Sequence, residues 1–273
     1  MLQMLEFTNE RSRTTAAVDD ILRGLKSWRF WMMLSWSDIK QRYRRSKLGP
    51  LWITFSMAIM IGALSVIYGT IFKMPLADYL PYLAAGLITW LFVSSTINEG
   101  ATAFTTVEGI IKQSAIPLSI YVYRVVWRNL IGLAHNCVVL AVIFALTQPL
   151  SSLNPLALAV GLGLVLANLF AISLVLALLS TRFRDLPPIV ASLTQVMFYV
   201  TPILYKPDQL PGKMALIAHY NPLYHLIAVL RAPLTGELAE PLSYVVASGM
   251  FLVVGGLGFV LFLLFRGRVA YWL

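Results

Sequence analysis

Apolar runs long enough to cross a membrane recur along most of the chain. A spanning helix needs about 20 mostly apolar residues. Six segments reach or approach that length: 51–72, 80–98, 121–146, 156–179, 188–204 and 242–265. The third carries Arg124 and Arg128 near its start, which places its first turns in or below the headgroups. The fifth is short and rich in polar residues. Ahead of the first span, Leu22, Leu25, Trp28, Trp31 and Met32 are interleaved with Arg23, Lys26 and Arg29. That spacing predicts an amphipathic helix over 22–33, lying along a membrane interface. The residues before it predict a mobile tail. Residues 1–17 are polar and charged, without the apolar stretch of a cleavable signal peptide.

Two further segments break the pattern. Residues 214–230 are apolar, but Pro222 interrupts them in Tyr220-Asn-Pro-Leu-Tyr224. Pro211-Gly212 stands before and Arg231-Ala-Pro-Leu-Thr-Gly236 after. We read the region 206–236 as two short helices that enter the outer leaflet and return. Irregular backbone survives at that depth only when buried in protein or lining a wet cavity. A partly apolar external loop fits the same pattern. Between the second and third spans, residues 99–117 predict a short surface helix. It is begun by Thr105 or Thr106, has Glu108 early in it, and ends before Pro117. The organisation expected is therefore 1–50, a tail and interface helix, followed by a six-span, all-α membrane domain over 51–273.

Composition agrees: 59% of the 273 residues are hydrophobic and 12% charged, against about 25% charged in soluble domains. The net charge of +9 resembles a nucleic-acid signal, but the basic residues stand beside apolar runs. Anionic lipid headgroups are therefore the partners expected, and no nucleic acid. Six of the twelve residues from Trp36 to Lys47 are Lys, Arg or Asp, and the chain then passes through Gly49-Pro50 into the first span. With the N-terminus inside, ten Lys and Arg fall in residues 1–50. Lys112, Arg124, Arg128, Arg182, Arg184, Arg266 and Arg268 bring the inside total to 17. Only Lys73, Lys206, Lys213 and Arg231 fall outside. The positive-inside rule then places both termini in the cytoplasm.

The candidate chemistry narrows the function. No G-x-x-x-x-G-K-[ST] phosphate loop is present, so the chain is not expected to bind ATP in that way. Neither H-E-x-x-H nor a Cys/His cluster points to a metal, and Cys137 stands alone in an apolar segment. Ion-driven transporters usually place carboxylates near mid-bilayer, and here Glu99 and Asp185 lie at span ends. His135 and Asn136, midway along the third span, predict an interhelical hydrogen bond. A multi-span chain without an energy source is a passive pore, a scaffold, or a subunit driven by another. Tyr68, Phe72, Trp90, Phe92, Phe198 and Tyr199 lie within or at the ends of spans and are candidates for an aromatic-lined passage suited to sugar rings. Ordinary packing explains such residues equally well.

Asp38-Ile-Lys-Gln-Arg-Tyr-Arg-Arg-Ser-Lys-Leu-Gly-Pro-Leu-Trp52 resembles the N-terminal signature of ABC-2-type polysaccharide export permeases. Tyr123-Arg-Val-Val-Trp-Arg-Asn129, Phe183-Arg-Asp185, Thr201-Pro-Ile-Leu-Tyr205 and Asn221-Pro222 are similar to further family segments. So are Glu108-Gly-Ile-Ile-Lys-Gln113 and the Ile116-Pro-Leu that follows it. The likeness runs from about residue 30 to the C-terminus and is nearest to permeases for lipid-linked O-antigen. Capsule, teichoic-acid, drug or lipid exporters of the same fold are the alternatives. The resemblance implies a homodimer in the bacterial inner membrane, with no catalysis of its own and no cofactor in this chain. Two copies of a separate ATPase would bind ATP and Mg. An undecaprenyl-diphosphate-linked glycan would be the substrate. Glu108, Ile111, Lys112, Arg182, Arg184 and Asp185 would couple to the ATPases. Our own extension is that Arg42, Arg44, Arg45 and Lys47 would meet the lipid diphosphate, with anchoring to anionic lipid as the alternative.

Overall fold

The computed structural model describes residues 2–44, 49, 51–147, 153–207 and 219–273, and side chains from 13 onward. Among the described residues every regular element is helical. Helix α1 (Leu2–Lys26) and α2 (Trp28–Tyr43) precede α3 (Leu51–Phe72), α4 (Leu76–Ala101) and the short α5 (Glu108–Gln113). Then come α6 (Ser119–Thr147), α7 (Pro155–Arg182), α8 (Leu186–Val200), α9 (Pro222–Leu234), α10 (Pro241–Phe265) and α11 (Val269–Trp272). Five of these, α3, α4, α6, α7 and α10 with its continuation to Trp272, are long and apolar enough to cross a membrane.

The second of these, α4, is the hub: it packs against α3, α6, α7, α8 and α9 and is buried over most of its length. By contrast α3 buries only the stripe Met57, Ile61, Ser65 and Gly69. That i, i+4 spacing is one helix face, and the other faces are open to lipid or a neighbour. Close helix approach depends on small residues. Gly161 of α7 lies under the α9 backbone, where a Cβ would stand 2.0 Å from the Val229 carbonyl oxygen.

Three sequence expectations change. The segment 22–33 is not one helix, because the chain bends at Ser27 between α1 and α2. Ser27 Oγ donates to the Arg23 carbonyl (2.8 Å) and Trp31 Nε1 to the Gly24 carbonyl (3.1 Å), so side chains satisfy the end of α1. The residues before 22, read as a tail, are helical from Leu2. The fifth apolar segment is helical only to Val200. Its 15 residues rise about 22 Å, short of a hydrocarbon core of about 30 Å. Of the 206–236 region, residues 206–207 and 219–236 are described, with α9 as their helix, and residues 208–218 lie outside the described residues.

Beyond Val200 the buried backbone of 201–204 has no helical ladder, so its carbonyls need other donors. Arg231 Nη1 donates to the Pro202 carbonyl at 2.8 Å. Tyr79 donates to the Leu204 carbonyl at 2.6 Å, and Tyr82 to that of Tyr205 at 3.0 Å. Asn221 ties the same segment to α9. Its Oδ1 caps the helix at the Leu223 N–H (3.0 Å), while its Nδ2 donates to Thr201 Oγ1 (2.8 Å). The Thr201-Pro and Asn221-Pro motifs, 20 residues apart, are thus one junction.

A second junction closes the opposite end, where a cluster separate from the main core unites Ala17, Phe104, Ile111, Val122, Leu178 and Phe262. Asp20 of α1, 3% exposed, accepts from the backbone N–H groups of Leu118 (3.2 Å) and Ser119 (3.0 Å) and from Arg266 Nε (2.8 Å). It therefore caps the start of α6 from another helix and binds the end of α10 to both.

Candidate functional site

The start of α6 lies beside α2, and the two helices match in register. Trp31, Ser35 and Ile39 form the buried face of α2. Trp31 stacks on Tyr123 at 5.8 Å, and Ser35 Oγ donates to the Arg124 carbonyl at 2.9 Å. The same i, i+4 spacing sets Asp38 and Arg42 on α2 opposite Arg124 and Arg128 on α6. Arg124 grips Asp38 through Nε (2.7 Å) and Nη2 (2.5 Å), and Arg128 Nη1 adds a third bond at 2.6 Å. Arg128 also donates to Glu99 of α4 through Nε (3.1 Å) and Nη2 (2.8 Å). Asn129 Nδ2 (2.7 Å) and Arg42 Nη2 (3.0 Å) complete the Glu99 carboxylate. Burial alone would raise the pKa of Asp38, but the Arg124 and Arg128 guanidiniums outweigh it and hold the carboxyl below its ordinary value. One ionic node thus joins α2, α4 and α6.

A cavity of about 220 Å³ lies against the node, lined by Arg42, Arg128 and Asn129 together with Ser95, Gly132 and Asn136. Of the four basic residues expected to meet a diphosphate, Arg42 is in this node and Arg44 is exposed. Arg45 and Lys47 lie outside the described residues. An interhelical bond does form at His135, where Thr54 Oγ1 of α3 donates to its carbonyl at 3.1 Å, but the two side chains expected to make it do not. His135 Nδ1 bonds the Ile131 carbonyl of its own helix at 2.8 Å, and Asn136 Oδ1 is buried without a partner among the described residues.

At the same end, Glu108 and Lys112 of α5 pair across one turn at 2.6 Å. The Lys112 hydrogen bond, with the nearby Arg184 charge, holds the Glu108 carboxyl below its usual range. Arg184 Nη2 donates to the Leu273 carbonyl at 3.0 Å. The surface therefore gathers Glu108, Lys112 and Arg184, with Arg182, Phe183 and Asp185 exposed in the turn after α7. Ile111 does not belong to that surface. It is 8% exposed and packs inward in the second core, while Ile110 faces out.

The profile of ABC-2 type transporters matches residues 29–235. The chain belongs to the ABC-2 type transporter family. That match takes in α2 to α9, so the ionic node, the α5 surface and the Thr201–Asn221 junction all lie within the ABC-2 region. Two Klebsiella pneumoniae proteins, each named O-antigen export system permease protein RfbA, are 30% identical over 227 and 225 residues. Each alignment covers 81% of this chain and 86% of the relative. A Myxococcus xanthus protein of the same name is 23% identical over 197 residues, 71% of this chain and 76% of its own.

The six candidate channel aromatics of this ABC-2 chain divide into three groups. Trp90 and Phe198 (5.9 Å apart) and Tyr199 (5.2 Å from Phe198) line a groove of about 330 Å³ between α3, α4 and α8, beside Asn98 and Gln195. Tyr68 and Phe72 stack at 5.8 Å, and Phe72 meets Tyr79 at 6.3 Å. Phe92 is buried and lines the cavity beside the node instead. The sequence marks Arg124 and Arg128 by membrane depth, inside charge and family likeness, and Glu99 by its span end, but does not show them as one ionic cluster. The signal available was their type and spacing: basic residues four apart on α6 facing Asp38 and Arg42 four apart on α2.

Proposed function

We propose that this chain is the transmembrane permease of an ATP-driven exporter that moves undecaprenyl-diphosphate-linked O-antigen polysaccharide across the bacterial inner membrane. The observation that carries this reading is the 30% identity to O-antigen export permeases along 81% of the chain. The permease works as a homodimer, with ATP and Mg bound by two copies of a separate ATPase. The short α8, extended by the buried 201–204 segment, is the fifth of six spans, and α9 is the described part of an external re-entrant pair. Both termini are cytoplasmic, and α1 and α2 expose Leu22, Leu25, Trp28, Met33 and Trp36 to the membrane interface.

Roles follow from position. Glu108 and Lys112, with Arg182, Arg184 and Asp185, face the ATPase, and Ile111 holds that surface to the core from beneath. Arg42, Arg44, Arg45 and Lys47 meet the lipid diphosphate. Trp90, Phe198 and Tyr199 offer flat apolar faces and neighbouring amides to sugar rings, which suits a sliding glycan better than a small apolar solute. Deleting the chain in its host should trap lipid-linked glycan at the cytoplasmic face and remove it from the cell surface, and re-expression should restore it. Unchanged surface glycan in the deletion strain would overturn the reading.

A further inference from the structure

We propose that the cavity beside Arg42, Glu99 and Arg128 is a binding site for the phosphate of a lipid headgroup, built by the α6 stripe Arg128, Gly132 and Asn136. The site shares Arg42 with the exposed basic run but is otherwise built from Arg128, Asn129, Gly132 and Asn136, and it depends on the permease reading only for which lipid fills it.

Four donors already converge on one carboxylate there: Arg42 Nη2, Arg128 Nε and Nη2, and Asn129 Nδ2 all reach Glu99. Such convergence is what a phosphate oxygen requires. Arg42, Arg128 and Asn129 also line the cavity, and Glu99 does not. The Arg42 and Arg128 guanidiniums keep N–H groups beyond those given to the carboxylates, whereas Asn129 Nδ2 is fully used by Glu99 and the Val125 carbonyl. The node holds three guanidiniums, of Arg42, Arg124 and Arg128, against the two carboxylates of Asp38 and Glu99. One positive charge is in excess, at the Arg42 edge of the node, and it favours an anion there.

Two features of α6 indicate that the space is kept open. Gly132 lies one turn from Arg128 and one turn from Asn136, on the same face. A Cβ there would meet nothing within 4 Å. Glycine inside a helix is destabilising relative to alanine, so its presence in this stripe leaves room that a side chain would occupy. Deeper in, Asn136 is 2% exposed and its Oδ1 has no partner among the described residues. An unmade bond on a buried acceptor is costly. That oxygen is itself shielded, so a hydroxyl next to the phosphate, on glycerol or on a sugar, would reach it only when the Asn136 amide turns. The volume of about 220 Å³ is far above the roughly 30 Å³ of one liquid water, yet small for a chain of sugars. It suits a headgroup and leaves the glycan elsewhere.

The test measures binding of farnesyl diphosphate to the full chain in phosphatidylcholine nanodiscs. Gly132→Leu should weaken binding by about tenfold or more while thermal stability stays level or rises, because the new side chain fills the cavity. Glu99→Gln should tighten binding, because it removes the carboxylate that competes for the same donors. Arg42→Gln, at a mostly exposed position, should weaken it. Unchanged affinity in Gly132→Leu and Arg42→Gln overturns the site. If phosphatidylglycerol in the disc displaces the probe and Gly132→Leu abolishes that competition, the site holds bulk phospholipid. If the probe resists phosphatidylglycerol, the site holds the prenyl diphosphate. Failure of the permease reading would appear separately, as unchanged surface glycan in the deletion strain with this binding intact.

Discussion

The two ends of the helix bundle satisfy their polar groups in different ways. At one end, charged side chains on α2, α4 and α6 pair with one another, and a cavity of mixed polar and apolar lining remains beside them. At the other, the irregular backbone of 201–205 receives side-chain donors from Tyr79, Tyr82 and Arg231. Ion pairs between separate helices can trade one anion for another, because each partner keeps its charge and its donors. Carbonyls held by fixed donors have no such exchange. The first arrangement suits a place where a charged substrate enters, and the second suits a fixed seal.

The contrast can be broken from the strongest effect down. Asp38→Ala leaves Arg124 and Arg128 short of an anion. Breaking one partner of a buried ionic group costs about 3–5 kcal/mol, and the modest exposure of this one puts the loss near about 3 kcal/mol. Unfolding in mixed micelles would measure it, with early proteolysis of α2. A loss below about 1 kcal/mol would mean that the node does not hold α2 to α6. Arg231→Met strands the Pro202 carbonyl and removes the guanidinium stacked 4.3 Å from Tyr82. About 2 kcal/mol is expected in the same assay. Tyr79→Phe deletes only the hydroxyl bound to the Leu204 carbonyl, with about 1 kcal/mol expected. If Tyr79→Phe cost more than Asp38→Ala, the ranking of the two ends would be reversed.

Two smaller effects sharpen the picture. Glu108→Ala, on the exposed α5 pair, should leave stability unchanged yet reduce co-purification of the partner ATPase. Normal co-purification and ATPase stimulation would remove α5 from the coupling surface. Ile111→Asp does not test that surface cleanly, since Ile111 is core. The node should also be indifferent to mild acid. Asp38 has a folded pKa below its ordinary 3.8, so its stabilising contribution is present at neutral pH. It is lost only as pH falls through that lowered value. Protection of α2 from protease should therefore be the same at about pH 5 as at about pH 7. Release of α2 at pH 5 would contradict the pairing.

Residues 51–72 were legible in full, because a charge-free run bounded by Gly49-Pro50 and Lys73 leaves few alternatives to a spanning helix. The α5 turn was legible from Glu108 and Pro117, but Thr105 and Thr106 do not cap it, since their hydroxyls donate back to the Thr102 carbonyl. The end of α8 was not. Apolar composition cannot distinguish a helix from extended backbone when the donors come from Tyr79 and Arg231, 125 and 29 residues away from the carbonyls they serve. Nothing in the sequence pattern marks Tyr79 and Tyr82 as donors, and Arg231 counts there only as an outside charge. Each is a hydrogen-bond donor to one buried segment. The ionic node was only half visible. Hydropathy reports how deep Arg124 and Arg128 sit, and only packing brings Asp38 and Glu99 against them. The position of Ile111 shows the same limit, since a six-residue helix has too few turns to reveal which face is inward.

The most direct test of the export reading is transport in a defined membrane. The purified chain and its partner ATPase would be placed in sealed vesicles carrying undecaprenyl-diphosphate-linked glycan in the outer leaflet, with the ATP-binding face outward. The expected result is glycan that becomes protected from an added glycosidase only when both proteins, ATP and Mg are present. Protection without the ATPase, or none from an intact and ATP-hydrolysing complex, would contradict it.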